Sequence, residues 1–201
     1  MPRITAQRQS DRRNAILDAG RSVLAAKGFD GASITDIARQ AGISDGLLYR
    51  YFADKRALLM DVLAQFYVRV IDNLEAACAS AVGFRARIRA IVATHIAVFV
   101  SDAALCRLFL TEVRVGTNYR ETEIYVLNRR YTSVLLLVVT DGIAEGVVHA
   151  DMDPRLLRDM LFGGIEHFAW RYIANPGDMN VEENAARISD ILLNGFCSTT
   201  A

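Results

Sequence analysis

Apolar residues in this chain recur three and four positions apart, and no stretch shows the every-second-residue alternation of a half-buried strand. That periodicity restricts the fold to helices packed on helices, an all-α chain of about nine. In "SDRRNAILDAGRSVLAAKGF", Ile16, Leu17, Gly20, Val23, Leu24 and Lys27 share one helical face, with Lys27 adding its aliphatic stem. Gly28 stops this helix, because glycine takes the left-handed conformation after a last turn, and Phe29 is the apolar residue that folds back on it.

Two short helices follow. Ser33 stands three residues before Asp36, a capping-box spacing that opens "ITDIARQA", and Gly42 closes it. Ser44 caps the next. Only a turn of about four residues containing glycine separates the pair, which is the signature of a helix-turn-helix. Ile34, Ile37, Ala38, Ala41, Ile43, Leu48 and Phe52 form the apolar side that packs this pair onto the first helix.

Asp54 and Lys55 begin a longer helix reaching about Cys78, and further helices are expected at about residues 84–100, 103–115, 119–145, 154–174 and 182–197. Asp153 before Pro154 is a helix start, since an N-cap followed by proline loses no hydrogen bond. "NPGD" at residues 175–178 is a clear break. No repeat or low-complexity linker appears. The chain therefore divides into a three-helix head, residues 1–56, and a larger helical body, residues 57–201, sharing the helix from Lys55 instead of a tether.

Composition narrows the class. The chain is 201 residues long, 52% hydrophobic and 23% charged, enough for a sizeable buried core without staples. Cys78, Cys106 and Cys197 are odd in number and widely separated, so neither a disulfide framework nor a zinc knuckle is signalled, and a reducing cytoplasm is expected. The longest aliphatic run, "VLLLVV", falls far short of the roughly 20 residues that span a bilayer, so no membrane association is expected. Net charge is zero, but residues 1–56 carry ten Lys and Arg against six Asp and Glu, while residues 57–201 carry thirteen against seventeen. Such a basic head on an acidic body points to a polyanion met by the head alone.

The stretch "ISDGLLYRYFADK" supplies what a groove-reading helix needs. Its N-terminal residues must meet base edges while hydroxyls, amides and cations hold phosphates. Ser44 and the free N–H groups beside it suit a phosphate, as does Lys55 at the start of the next helix. Gly46 permits close approach, Leu47 can meet a thymine methyl, Tyr49 and Tyr51 project hydroxyls, and Arg50 can grip a phosphate or a guanine edge.

Residues Ile16 to Leu59 resemble the DNA-binding domain of the TetR family of bacterial transcriptional regulators. "KGF", "S-x-x-D-I-A", "AG-I-S-x-G-x-L-Y-x-Y-F" and "K-x-x-L" occur in the order and spacing that family uses. The resemblance implies double-stranded DNA as partner. Thr35, Asp45, Gly46, Leu47, Tyr49, Arg50 and Tyr51 align with DNA-facing positions and Lys55 with a phosphate-binding lysine, while Ser33 and Ser44 at the two helix starts complete the set. Asp45 departs from the family pattern, where lysine is common; a carboxylate there can accept a hydrogen bond from cytosine N4 instead.

The resemblance further implies a homodimer on a palindromic operator, released by a small hydrophobic effector held in the body. "PRLLRDMLFGGIEHFAWRYIA" offers a broad apolar face of Leu156, Leu157, Met160, Leu161, Gly164, Ile165 and Phe168; with "AARISDILLNGF" it suggests an interface of Leu157, Leu161, Gly164, Phe168, Ile188, Ile191 and Leu192. Mid-helix Gly163 and Gly164 each cost roughly 0.8–1 kcal/mol relative to alanine, which close approach of another helix would offset. Phe66, Phe99, Phe109, Tyr125, Phe162, Glu166, His167 and Trp170 are candidates to line the effector pocket. The pattern "FL-T-E-VR", "YRETEIYVLNRRY" and "EGVVHADMDPRLLRDMLFGGIEHFAWRY" looks like the branch that contains fatty-acid-metabolism regulators answering to acyl-CoA. Arg107, Arg114, Arg129 and Arg130 are available to its phosphates.

Catalysis has no support: there is no nucleophile elbow, phosphate-binding glycine loop or H-E-x-x-H, and His95, His149 and His167 lack metal-ligand spacing. No cofactor is called for. The competing reading is a helical protein-interaction domain without DNA or ligand activity, which Asp45 and the zero net charge favour.

Overall fold

The punctuation read from the sequence falls where the chain turns. The computed structural model describes residues 2–195, with side chains from residue 6, and among them are nine α-helices and no strand. The described residues form two compact units: everything up to Tyr67 with Ala104–Tyr125, and Val68–Ala103 with everything from Val126 onward. No single helix among them is long and apolar enough to cross a membrane.

In the first unit, α1 (Pro2–Gly31) buries Ile16, Leu17, Val23 and Leu24, and Gly28 breaks it at φ 72. Gly20 faces Leu58, whose Cδ2 would lie 2.5 Å from an added Cβ, so glycine here lets α1 and the long helix beginning at Lys55 approach closely. The helix α2 (Ile34–Gln40) opens with the expected capping box of Ser33 and Asp36. Gly42 turns the chain at φ 66, and Ser44 caps α3 (Asp45–Leu48), a single turn of four residues. Its anchor is Leu48, fully buried, seconded by Phe52 at 2% exposure. The Asp54 carboxylate accepts from the Ala57 amide at 2.7 Å and so starts α4 (Lys55–Ser80). The boundary expected at residue 56 thus lies within the first turn of α4.

The segment expected as one helix over 103–115 is α6 (Ala103–Leu108) followed by a π-helical turn, Phe109–Val113. That wider turn carries Phe109 into a run of edge-to-face aromatics in the first unit: Phe66 to Tyr67 and Tyr67 to Phe109, both 5.5 Å, then Phe109 to Tyr119 at 6.0 Å and Tyr119 to Tyr125 at 5.5 Å.

The second unit is built on α5 (Phe84–Ser101), α7 (Glu123–Ala144) from Val126 on, α8 (Pro154–Trp170) and α9 (Val181–Asn194). Ile88, Ile91, Val92, Ile96, Leu135, Val139, Leu161, Phe162 and Ile165 make its core. The helix expected to begin at Tyr119 instead begins at Glu123, because the Thr122 hydroxyl accepts from the Tyr125 amide at 3.2 Å and acts as an N-cap. Asp153 caps α8 as expected, accepting from the Arg155 and Leu156 amides. That helix stops at Trp170, short of the expected Ala174, and three-residue turns carry the chain onward. Gly195, at φ 70, closes α9 after Asn194. The expected end of this last helix at Cys197 lies outside the described residues; Cys78 and Cys106 are buried free thiols.

Candidate functional site

The helix-turn-helix surface is held from behind and open in front. Leu48 and Phe52 are buried, whereas Tyr49 is 54% exposed, Gly46 and Arg50 are exposed, and Asp45, Leu47 and Tyr51 are half-buried. The helix ends at Leu48. The Arg50 and Tyr51 amides donate to the Leu47 and Leu48 carbonyls at 3.2 and 2.9 Å, so Tyr49, Arg50 and Tyr51 lie on a tight turn extending α3. Nothing stands within 4 Å of a Cβ built on Gly46, which leaves the backbone there approachable from outside.

The polar side chains of this surface constrain one another. The exposed Thr35 of α2 donates its hydroxyl to Asp45 Oδ2 at 2.6 Å. The Ser44 hydroxyl accepts from the Leu47 amide at 3.3 Å, completing the cap. Ser33 is committed to the capping box, donating its hydroxyl to Asp36 at 2.8 Å and accepting from the Asp36 amide at 3.0 Å. Lys27 pairs with the same carboxylate at 2.9 Å. Its hydrogen bond, followed by those from Ser33, holds the Asp36 carboxyl at about 2, below the ordinary 3.8.

Lys55 is engaged as well. Its ammonium donates to the Phe29 and Ala32 carbonyls at 2.5 and 2.8 Å and stands 4.3 Å from the centre of the Phe29 ring. An ammonium has three donors, so two bind the chain leaving α1 and one is left. Arg39, Arg50 and Arg56 are exposed cations of the same unit.

The eight pocket candidates divide between the units. Phe66, Phe109 and Tyr125 belong to the aromatic run of the first; Phe99, Phe162, Glu166, His167 and Trp170 belong to the second. Phe99 and Phe162 pack edge-on against His95 at 5.4 and 4.7 Å, and His95 Nδ1 and the Tyr131 hydroxyl are hydrogen-bonded at 3.0 Å. His95 is 6% exposed. Burial pushes its pKa down from 6.5 to about 3, so the imidazole is neutral. This buried polar pair was missed in the sequence reading, where His95 was weighed only for metal spacing. A histidine on an otherwise apolar stretch of α5 was the available signal. Glu166 is half-buried, while His167 and Trp170 are exposed.

The dimer candidates also fall on several sides. Leu161 is 3% exposed and faces the interior of its own unit; Leu157 is half-buried; Phe168 is half-buried beside Tyr172 and Arg171. Gly164 is exposed with open space around it. On α9, Ile188 and Leu192 are half-buried and Ile191 is 58% exposed. The apolar surface that α8 turns outward is Leu156, Met160, Gly163, Gly164 and Trp170.

Comparison with known proteins agrees with this arrangement. Residues 16–62 match the model of the bacterial regulatory proteins of the tetR family, and residues 82–196 match the tetracyclin repressor-like C-terminal domain. The fatty acid metabolism regulator protein of Bacillus subtilis is 24% identical over 90% of this chain and 93% of its own length. The HTH-type transcriptional repressor KstR2 of Rhodococcus jostii is 26% identical over 94% of this chain and 93% of its own. Among solved structures, the transcriptional regulator FadR of Bacillus subtilis in complex with stearoyl-CoA superposes with a TM-score of 0.81, at 24% identity over 91% of this chain and 98% of that one. A helix-turn-helix head and a helical body, each matched by its own model over most of the sequence, make the chain a member of the TetR family of bacterial transcriptional regulators, and not an enzyme.

Proposed function

We propose that the chain is a repressor that binds a palindromic operator as a homodimer and releases it when a hydrophobic effector occupies the body. The observation that carries the DNA-binding half is the outward turn of Gly46, Tyr49 and Arg50 over a buried Leu48 and Phe52. Tyr49 and Arg50 contact base edges or phosphates, Gly46 admits the backbone close to the duplex, and Thr35 and Asp45 contribute a polar edge beside them. Lys55 offers its remaining donor to a phosphate while keeping α4 tied to the end of α1.

One head reads too few base pairs to single out a site, and a two-fold dimer doubles that number. The exposed Leu156, Met160, Gly163, Gly164 and Trp170 of α8, with Ile191 of α9, support a helix-on-helix interface of this kind. As effector we favour a fatty acyl-CoA, because the Bacillus subtilis relative is named a fatty acid metabolism regulator and the similar FadR structure holds stearoyl-CoA. Phe99, Phe162 and the neutral His95–Tyr131 pair suit the apolar part of such a molecule and the single carbonyl it carries inward.

The test is a gel shift on a duplex from the chain's own promoter region. Wild-type protein is expected to retard it, Arg50→Ala and Tyr49→Phe to weaken retardation, and stearoyl-CoA to abolish it. No retardation at low salt would overturn the DNA-binding reading; retardation indifferent to stearoyl-CoA and to shorter acyl-CoAs would overturn the effector.

A further inference from the structure

The second unit contains a cavity of about 880 Å³ framed by the start of α5, the α7–α8 loop, α8 and the end of α9. That volume lies within the roughly 300–1,000 Å³ of pockets that hold small molecules. Phe84, Ile88, Val148, Leu157 and Leu192 give it apolar walls. Val82 and Val147, also lining it, are 91% and 58% exposed, so its mouth presents uncovered apolar surface. None of the Phe99, His95, Tyr131 and Phe162 group lines it, which separates it from the effector position proposed above.

The charge of the cavity is as informative as its walls. Arg85 and Arg89, one turn apart on α5, both line it. Arg89 pairs with Asp190 of α9 at 3.1 Å, which offsets its charge. Arg85 donates to Asn194 at 2.6 Å, and that neutral partner positions the guanidinium without compensating it. No aspartate or glutamate lines the cavity. The first turn of α5 adds to the positive potential: its N-cap, Gly83, supplies no side-chain hydrogen bond, and its amides lie at the positive end of an 18-residue helix. His149 of the α7–α8 loop also lines the cavity, so an uncompensated guanidinium, an imidazole and the first amides of α5 stand beside an apolar chamber, which matches a carboxylate head with an apolar tail.

We propose that this cavity binds a single amphipathic monocarboxylate, its alkyl chain along Ile88, Leu157 and Leu192 and its carboxylate on Arg85 and the first amides of α5. The site stands whether or not the head binds DNA.

Isothermal titration of the full chain with dodecanoate tests it, with dodecanol as the uncharged control. Wild-type protein is expected to bind one equivalent of dodecanoate, and dodecanol at least about tenfold more weakly. Arg85→Ala is expected to weaken dodecanoate by at least about tenfold, and Arg85→Lys to restore most of the affinity. Ala86→Trp places an indole in the chamber from an exposed helix position and is expected to abolish binding, with thermal melts showing that each variant folds. Absence of saturable binding, equal affinity for dodecanol, or wild-type affinity in either Arg85→Ala or Ala86→Trp overturns the proposal.

Discussion

Thr35 of α2 donates its hydroxyl to Asp45 of α3 at 2.6 Å, so the two helices of the head share a hydrogen bond on their exposed side. The bond occupies Oδ2 and fixes the carboxylate, leaving Oδ1 to accept from a base. Cytosine N4 is the donor a carboxylate can read in the major groove, and an amide in its place reads adenine. Selection from random duplexes is therefore expected to yield a cytosine at one symmetric pair of positions for the wild type and a shift toward adenine for Asp45→Asn, worth about 1–3 kcal/mol per position. An unchanged consensus would show that Asp45 reads no base.

The outward surface of α8 makes a second expectation. Leu156 and Met160, 58% and 66% exposed, are one turn apart and contribute nothing to the core of their own unit. Replacing both with arginine should leave helical content and melting behaviour close to wild type while converting the protein to a single-chain mass at micromolar concentration, read by sedimentation. A variant that stays dimeric would move the interface elsewhere.

Gly20 makes a third. An added Cβ would meet Leu58 Cδ2 at 2.5 Å, so this fully buried side chain would have to shift. Gly20→Ala gains about 1 kcal/mol of helix propensity and loses about 1–3 kcal/mol to overpacking, a net loss of up to about 2 kcal/mol. A lower urea midpoint at unchanged slope is the expected result; a raised midpoint would mean that Leu58 repacks freely.

His95 gives the pH dependence. Its folded pKa of about 3 lies below the ordinary 6.5, so above pH 6.5 both folded and unfolded chains hold it neutral and it contributes no slope. As pH falls from 6.5 toward about 3 the unfolded chain takes up the proton and the folded one does not, so stability declines over that window. In His95→Phe this part of the decline should be missing from melting temperatures taken between pH 4 and 7. An imidazole that titrates near 6.5 by nuclear magnetic resonance in the folded protein would contradict it.

What could be read in advance depended on how many residues carried each signal. Ser33, Ser44, Asp153, Gly28 and Gly42 are caps and breakers whose effect is local, and each stands where the sequence put it. The head was legible for that reason, down to the inward Leu48 and Phe52. Thr122 is a cap too, but it sits in a polar stretch without a glycine or proline, so the start of α7 was read four residues early. The π-helical turn at Phe109–Val113 carries no glycine, proline or cap to mark it, although Phe109 on it meets Tyr67 and Tyr119. On α8 the difficulty was excess: Leu156, Leu157, Met160, Leu161 and Phe162 are apolar on nearly every side, and periodicity alone does not say which of them face in. The burial of Leu161 and exposure of Met160 come from neighbours distant in the chain. The cavity beside Arg85 was invisible for the same reason, because its walls come from four separate elements.

The brevity of α3 reaches beyond the head's architecture. Four residues are too few to nucleate a helix unaided, so the turn that carries Tyr49 and Arg50 borrows its shape from Leu48 and Phe52 pressed into the unit beneath. A smaller side chain at either anchor would therefore loosen the exposed turn and the packing beneath it together, so the shape of that surface and the stability of the unit are set by the same two residues.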